Sequence, residues 1–171
     1  MGVTMNITIE QLKEHEKAQY TEVLLESYAQ YEQFYTSQEA WQAYVTDIRN
    51  SVHEADFADI FVAKNDEEIL GGLHLFVGAE KAYGRPELQI DGTVIRLVGV
   101  HPKARGLGIA KKLLHESFAF ARARGDEYIH LHSTDLMDVA IQLYLKLGFI
   151  RDTSKEFMKN DILVKSFKYK L

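Results

Sequence analysis

Residues 97–114 read LVGVHPKARGLGIAKKLL, and the reading of this stretch decides the fold. It closes an eight-residue run, TVIRLVGV at 93–100, that is β-branched and almost wholly apolar. Such a run suits a central strand covered on both faces. It then opens a helix over 108–124. Ile109, Leu113, Leu114, Phe118 and Ala121 share one side of that helix, Lys111, Lys112, His115, Arg122 and Arg124 the other, and Gly125 stops it. Between strand and helix stand Gly106 and Gly108. The first-turn N–H groups of a helix have no partner inside it, and with the macrodipole they attract anions. Two glycines and the small Ala110 leave that main chain bare. Arg105 adds a charge that pairs with phosphate oxygens, and Lys103, Lys111 and Lys112 make the surroundings more positive. The local chemistry therefore favours a phosphorylated ligand. A G-x-G pair alone fits equally well a helix start that merely tolerates glycine. Neither the P-loop spacing nor the G-x-G-x-x-G dinucleotide fingerprint is present.

Working outward, NITIE (6–10) reads as a strand and residues 11–33 as a helix, with Leu12, Ala18, Val23, Leu24, Leu25 and Tyr28 at helical spacing. Ser37 is the N-cap expected for a second helix reaching about Val52. Residues 57–78 read as a hairpin of strands 57–64 and 68–78 around the turn NDEE. Residues 79–92 read as a polar loop. YIHLHS is a strand, 136–147 a helix with Asp135 as N-cap and Gly148 as its end, and FKYKL a half-exposed strand. The order β-α-α-β-β-β-α-β-α-β-β is that of a three-layer α/β (α+β) fold around a mixed sheet.

A chain of 171 residues suggests a single domain over 1–171. A formal charge of -5 argues against a broad nucleic-acid footprint. With no cysteine, disulfides, thiolate metal sites and a cysteine nucleophile are excluded. No apolar run spans a bilayer or forms a signal-peptide core, so a cytoplasmic protein with no membrane partner is expected. Asn6 stands where a myristoylation signal wants Ser or Thr. Met5 is a candidate natural start, with Met1–Thr4 an added remnant.

At the residue level, the stretch quoted above resembles motif A of the GNAT superfamily of N-acetyltransferases, [RQ]-x-x-G-x-[GA], with Arg105, Gly108 and Ala110 in the defining places. AIQLYLKLGF (140–149) resembles motif B, a Tyr-bearing helix that ends in Gly-Phe. The resemblance implies a mixed, mostly antiparallel central sheet flanked by helices, with strands 4 and 5 splayed. It implies acetyl-CoA as co-substrate, its pantetheine arm held like an added strand by the main chain of Val98 and Val100. Gly99 would mark the bulge, and the pyrophosphate would rest on the amides of Arg105, Gly106, Leu107, Gly108, Ile109 and Ala110. It implies Tyr144 as the acid that protonates the leaving thiolate; the plainer reading of Tyr144 is a core aromatic. The product would be an N-acetylated small-molecule or peptide amine, and a homodimer is allowed.

The base is not legible: Glu54, Asp56, Asp91 and His101 are candidates on spacing alone. Arg96, inside an apolar strand, either pairs internally with a carboxylate or reads an acidic group on the acceptor. Many family members have Asn seven residues before the motif B Tyr; here Met137 stands there, with Ser133 or Asp138 as substitutes. His74, His130 and His132 lack the convergence of a metal site, and no metal is expected. The aromatic-rich residues 20–44 read as core or as a rim over the acceptor. Two rival functions stay open: a non-catalytic acyl-CoA sensor, and a nucleotide-binding interaction domain without thioester chemistry.

Overall fold

The computed structural model describes residues 6–171, so Met1–Met5, and with them the reading of an added remnant, lie outside the described residues. The strands are β1 (Ile7–Gln11), β2 (Asp59–Asn65), β3 (Glu68–Val77), β4 (Thr93–Val100), β5 (Tyr128–Ser133), β6 (Ile150–Arg151), β7 (Phe157–Lys159) and β8 (Ile162–Lys170). The helices are α1 (Lys17–Tyr28), α2 (Gln38–Ser51), α3 (Ala79–Tyr83), α4 (Ile109–Arg124) and α5 (Asp138–Leu147), with short 3-10 turns between. Among the described residues no helix is long and apolar enough to cross a membrane.

Backbone contacts gather the chain into two units. The first takes the chain up to Ala55, Asp59–His74 and Leu97–Glu116. Its strand order is β1-β2-β3-β4, and β1 runs antiparallel to β2 from Ile7↔Asn65 to Gln11↔Phe61. Five consecutive residues of β2, Ile60–Lys64, are buried, as a strand covered on both faces requires. Two adjacent glycines in β3 make that covering close. A Cβ on Gly72 would lie 2.5 Å from Cε1 of Tyr20 on α1. On the opposite face, a Cβ on Gly71 would lie 2.5 Å from the Gly99 carbonyl and 3.4 Å from Ile109 at the start of α4. Successive strand residues face opposite ways, so the pair seats α1 on one side and α4 on the other.

The second unit takes Asp56–Ala58, Leu75–Arg96 and Ser117–Leu171. Its order is β3-β4-β5-β8-β6, with β7 on β8. The pairs β5·β8, β6·β8 and β7·β8 are antiparallel, while β4 and β5 are parallel. That parallel register is Val94↔His130 and Ile95↔Leu131 only. Arg96 on one strand and His132 and Ser133 on the other lie beyond it, the short overlap of strands that part. Phe118 of α4 stacks on Tyr169 of β8 at 4.3 Å and 3°, and Phe149 closes the group.

Three sequence expectations change, and one feature is new. The helix expected over 11–33 is shorter: β1 ends at Gln11, α1 begins at Lys17, and at Tyr28 the chain tightens into a 3-10 turn, Ala29–Phe34. The polar loop expected at 79–92 contains α3 and a buried cluster of Ala79, Ala82, Leu88 and Ile90 with Phe76 and Val94; polar neighbours in the sequence masked these apolar positions. Asp135 does not cap α5: Thr134 and Met137 hold the cap positions, without side-chain caps, and the Asp135 carboxylate pairs with Lys165 at 2.6 Å. Finally, β7 and β8 form a hairpin whose turn, Asn160–Asp161, has φ of 51° and 63°, the left-handed pair that tight hairpins favour.

A buried ion pair sits under the first unit's sheet. Lys64 and Glu16, 2% and 4% exposed, meet at 2.6 Å. Burial alone would raise the Glu16 carboxyl, but the Lys64 and Lys13 hydrogen bonds and charges outweigh it and hold it below its ordinary 4.5. The Lys64 ammonium is raised, first by its hydrogen bond to Glu16. A depressed carboxyl contributes stability above its unfolded pKa and loses it as pH falls through the folded one. Acid should therefore begin to unfold the protein below pH 4.5. Lys64→Met should remove about 3 kcal/mol by stranding Glu16 and should flatten that acid limb, as read from urea unfolding between pH 3 and 7.

Candidate active site

The main chain between β4 and α4 is where the sequence placed it. Gly106 and Gly108 have φ of 81° and 75°, a region L side chains enter only at a cost of about 1–2 kcal/mol. A Cβ at either would meet no protein atom within 4 Å. The Lys112 N–H bonds the Gly108 carbonyl at 3.1 Å, so the helix ladder starts at Gly108. The amides of Ile109, Ala110 and Lys111 then precede any intrahelical partner. Arg105, Gly106, Leu107 and Gly108 are exposed. Ile109 is 2% exposed, so its side chain anchors the helix while its amide faces the loop.

The cations nearby are largely committed. Arg105 donates from Nη2 to the Ser27 carbonyl at 3.1 Å, capping the C-terminal end of α1. Lys103 pairs with Glu68.

The left-handed residue near the end of β4 is not Gly99. Leu97 carries the left-handed backbone, φ 55°, a strained state for a leucine inside a strand. Gly99 is required for space instead. A Cβ there would stand 3.1 Å from Ser27 Oγ and 3.2 Å from Leu24 Cδ2. Its absence lets the last turn of α1 reach the strand. Tyr28 donates its hydroxyl to the Val98 carbonyl at 3.1 Å, and the Val100 N–H donates to Ser27 Oγ at 3.1 Å. Sequence reading missed Ser27. A lone serine in a helix has no pattern; only its place opposite Gly99 gives it meaning.

Beyond Tyr28 the aromatics form one chain of rings. Tyr28 lies 5.7 Å from Tyr31 and 6.1 Å from Tyr44; Tyr35 lies 5.5 Å from Tyr44 and 5.2 Å from Trp41. Trp41 and Tyr28 are buried, while Tyr31, Tyr35 and Tyr44 are half-buried. Burial raises the Tyr31 phenol, an effect that the nearby Arg105 charge partly offsets.

In the second unit, Tyr144 is buried, 6% exposed, with its ring 5.9 Å from Phe149. Arg96 pairs with no carboxylate among the described residues: it donates from Nη1 to the Ala82 carbonyl at 2.7 Å and lies over the rings of Tyr83 and Phe76. Ala82 lies in the helix that the loop expectation omitted, which hid this partner. His132 contacts the Tyr83 hydroxyl at 3.1 Å and the Lys155 carbonyl at 3.0 Å. Burial, then the neighbouring His132, pushes the His130 imidazole down to about 4. Among the described residues no three His, Cys, Asp or Glu gather as a metal would need. The base candidates divide. His101 Nδ1 accepts the Lys103 N–H at 3.1 Å and serves as a turn cap. Asp91 lies ahead of β4, in a cleft of about 330 Å³ with Asp126, Glu127 and His130. Glu54 and Asp56 are exposed on the segment before β2. Of the substitutes for the missing Asn, Ser133 is buried, and its Oγ has no hydrogen-bond partner among the described residues.

A model of the acetyltransferase (GNAT) family matches residues 9–149, and the chain belongs to that family. It is 29% identical over 117 residues to N-acetyltransferase 8B of Rattus norvegicus, covering 64% of this chain and 50% of that protein. It is 33% identical over 98 residues to a mycothiol acetyltransferase of Cellulomonas flavigena, covering 56% of this chain and 28% of that one. The chain thus spans half or less of these relatives. The PaiA N-acetyltransferase of Thermoplasma acidophilum, solved in complex with coenzyme A, shares the fold. The TM-score is 0.72 at 18% identity, over 98% of this chain and 100% of that one.

The fit around Gly99 is open to a direct check. Gly99→Ala should cost about 1–3 kcal/mol by crowding, read as a lower urea midpoint with an unchanged slope.

Proposed function

We propose that the protein transfers the acetyl group of acetyl-CoA to a primary amine by direct attack. The observation that carries this reading is the Gly106–Gly108 loop. Both glycines are left-handed, neither Cβ direction meets protein, and both open the first turn of a sixteen-residue helix. A diphosphate docks there on main-chain amides, with directional hydrogen bonds and the helix dipole supplying the attraction. The pantetheine arm lies along the end of β4, at Val98 and Val100, and main-chain N–H there polarises the thioester carbonyl.

In the reaction, the neutral amine's lone pair attacks the carbonyl carbon. The carbon–sulfur bond breaks as the carbon–nitrogen bond forms. The thiolate takes a proton, and the nitrogen gives one up. A lysine-like amine has a pKa near ~10.4 in water, so it must lose a proton before attack. Tyr144 is assigned the proton to sulfur from its place in the second motif. The acceptor is an amine of a small molecule or a peptide. A net charge of -5 favours one that is cationic in solution.

Two experiments test this. Calorimetry should show binding of coenzyme A and acetyl-CoA but not of ATP, and Gly108→Glu, which sets a carboxylate in the phosphate position, should abolish it; unchanged affinity in that variant sinks the assignment. A panel of primary amines with acetyl-CoA, followed by thiol release, identifies the acceptor. On that amine Tyr144→Phe should lower kcat at least tenfold while coenzyme affinity stays within about threefold. Tight coenzyme binding with no thiol release from any amine favours the sensor reading.

A further inference from the structure

The last turn of α1 is built onto the strand end that the coenzyme reading uses. Ser27 is 6% exposed. Its Oγ holds the Val100 N–H at 3.1 Å, and its carbonyl receives Arg105 Nη2 and Gln30 Nε2, each at 3.1 Å. That carbonyl is one of those a helix end leaves without an intrahelical donor. Tyr28, the next residue, donates to the Val98 carbonyl at 3.1 Å. Gly99, lacking a side chain, leaves room for Ser27 Oγ between these two bonds. One helical turn thus touches Val98, Val100 and Arg105, three residues assigned to coenzyme.

The two strand contacts are not equivalent. A carbonyl oxygen has two lone pairs, so Val98 can accept from Tyr28 and from a ligand together. An amide has one proton, and Ser27 has that of Val100. A pantetheine carbonyl that takes this proton must displace the serine hydroxyl.

We propose that Ser27 tunes the coenzyme site by competition: its hydroxyl occupies the Val100 N–H in the free protein and yields it to a pantetheine carbonyl on binding. The hydroxyl fixes the strand end and at the same time competes with the ligand, so it sets coenzyme affinity. This rests on the coenzyme reading above. The bound carbonyl replaces an internal hydrogen bond whose net worth is modest, and removing the competitor changes affinity by that amount.

The test is the sign of a change in affinity. Calorimetric titration of coenzyme A into Ser27→Ala should give binding about two- to tenfold tighter than wild type, the equivalent of one net hydrogen bond. A residue with a merely structural role would weaken binding when removed or leave it alone. A second readout is amide hydrogen exchange at Val100. Without coenzyme it should be faster in Ser27→Ala than in wild type; with saturating coenzyme A it should be equally protected in both. Unchanged or weaker binding in the variant, or equal exchange at Val100 without coenzyme, overturns the proposal and leaves the coenzyme reading standing. Wild-type protein that binds no coenzyme A overturns both.

Discussion

The constraint on which the first unit turns is the close approach of α1 to β4 at Gly99. Helix and strand approach closely there, Ser27 Oγ and Leu24 Cδ2 lying 3.1 and 3.2 Å from where a Cβ on Gly99 would stand. The close fit does more than fill volume. It lets a helix side chain reach main-chain groups of a strand, and it brings the carbonyl end of α1 within reach of Arg105. The same device recurs one strand away. Gly71 allows the Gly99 carbonyl to press against β3, and Gly72 admits the Tyr20 ring. Three glycines with no need for left-handed backbone thus set the spacing of a helix and two strands, while the two that do need it, Gly106 and Gly108, shape the loop.

Strain and satisfaction are balanced within a few residues. Leu97 adopts a backbone that costs a leucine roughly 1–3 kcal/mol, and the residues that follow it are held at several points. His101, four residues on, is tied to β3 through the Leu70 carbonyl at 2.7 Å. Val98 and Val100 are held by Tyr28 and Ser27. A strand end left to itself would relax toward regular geometry. Held at these points, it keeps its kink and presents its peptide groups in a fixed direction, which is the preorganisation that carbonyl polarisation requires.

These features were not equally legible in the sequence. The glycine loop could be read because the requirement is written in residue type: bare main chain at a helix start needs residues without side chains. The covered strands could be read from their continuous apolar runs. The left-handed position at the strand end could not be placed, because it falls on Leu97, where tertiary contacts override local preference. The charge of Arg96 suggests either an internal carboxylate or an acidic group on the acceptor; the structure gives it a backbone carbonyl and two rings. Its partner lies in α3, a five-residue helix with too little periodicity to announce itself. The hairpin turn at Asn160–Asp161 is different. Its signal, Asn160–Asp161 between two short runs of apolar residues, is present in the sequence.

The charge around the glycine loop bears on what kind of anion it takes. Lys103 is neutralised by Glu68, and Arg105 is turned to the end of α1. Lys111 and Lys112 remain exposed on the helix beyond. A chain of net charge -5 with its nearest cations so engaged generates no extended positive field. Attraction at long range is weak here, so an anion held at the loop would be held by short-range, directional donors. That favours a compact phosphate group which can bring its oxygens onto consecutive amides, over a polymer bound by the sum of many loose contacts. Arg105 spends one of its five N–H donors on the Ser27 carbonyl, so the loop and the end of α1 are tied through one guanidinium.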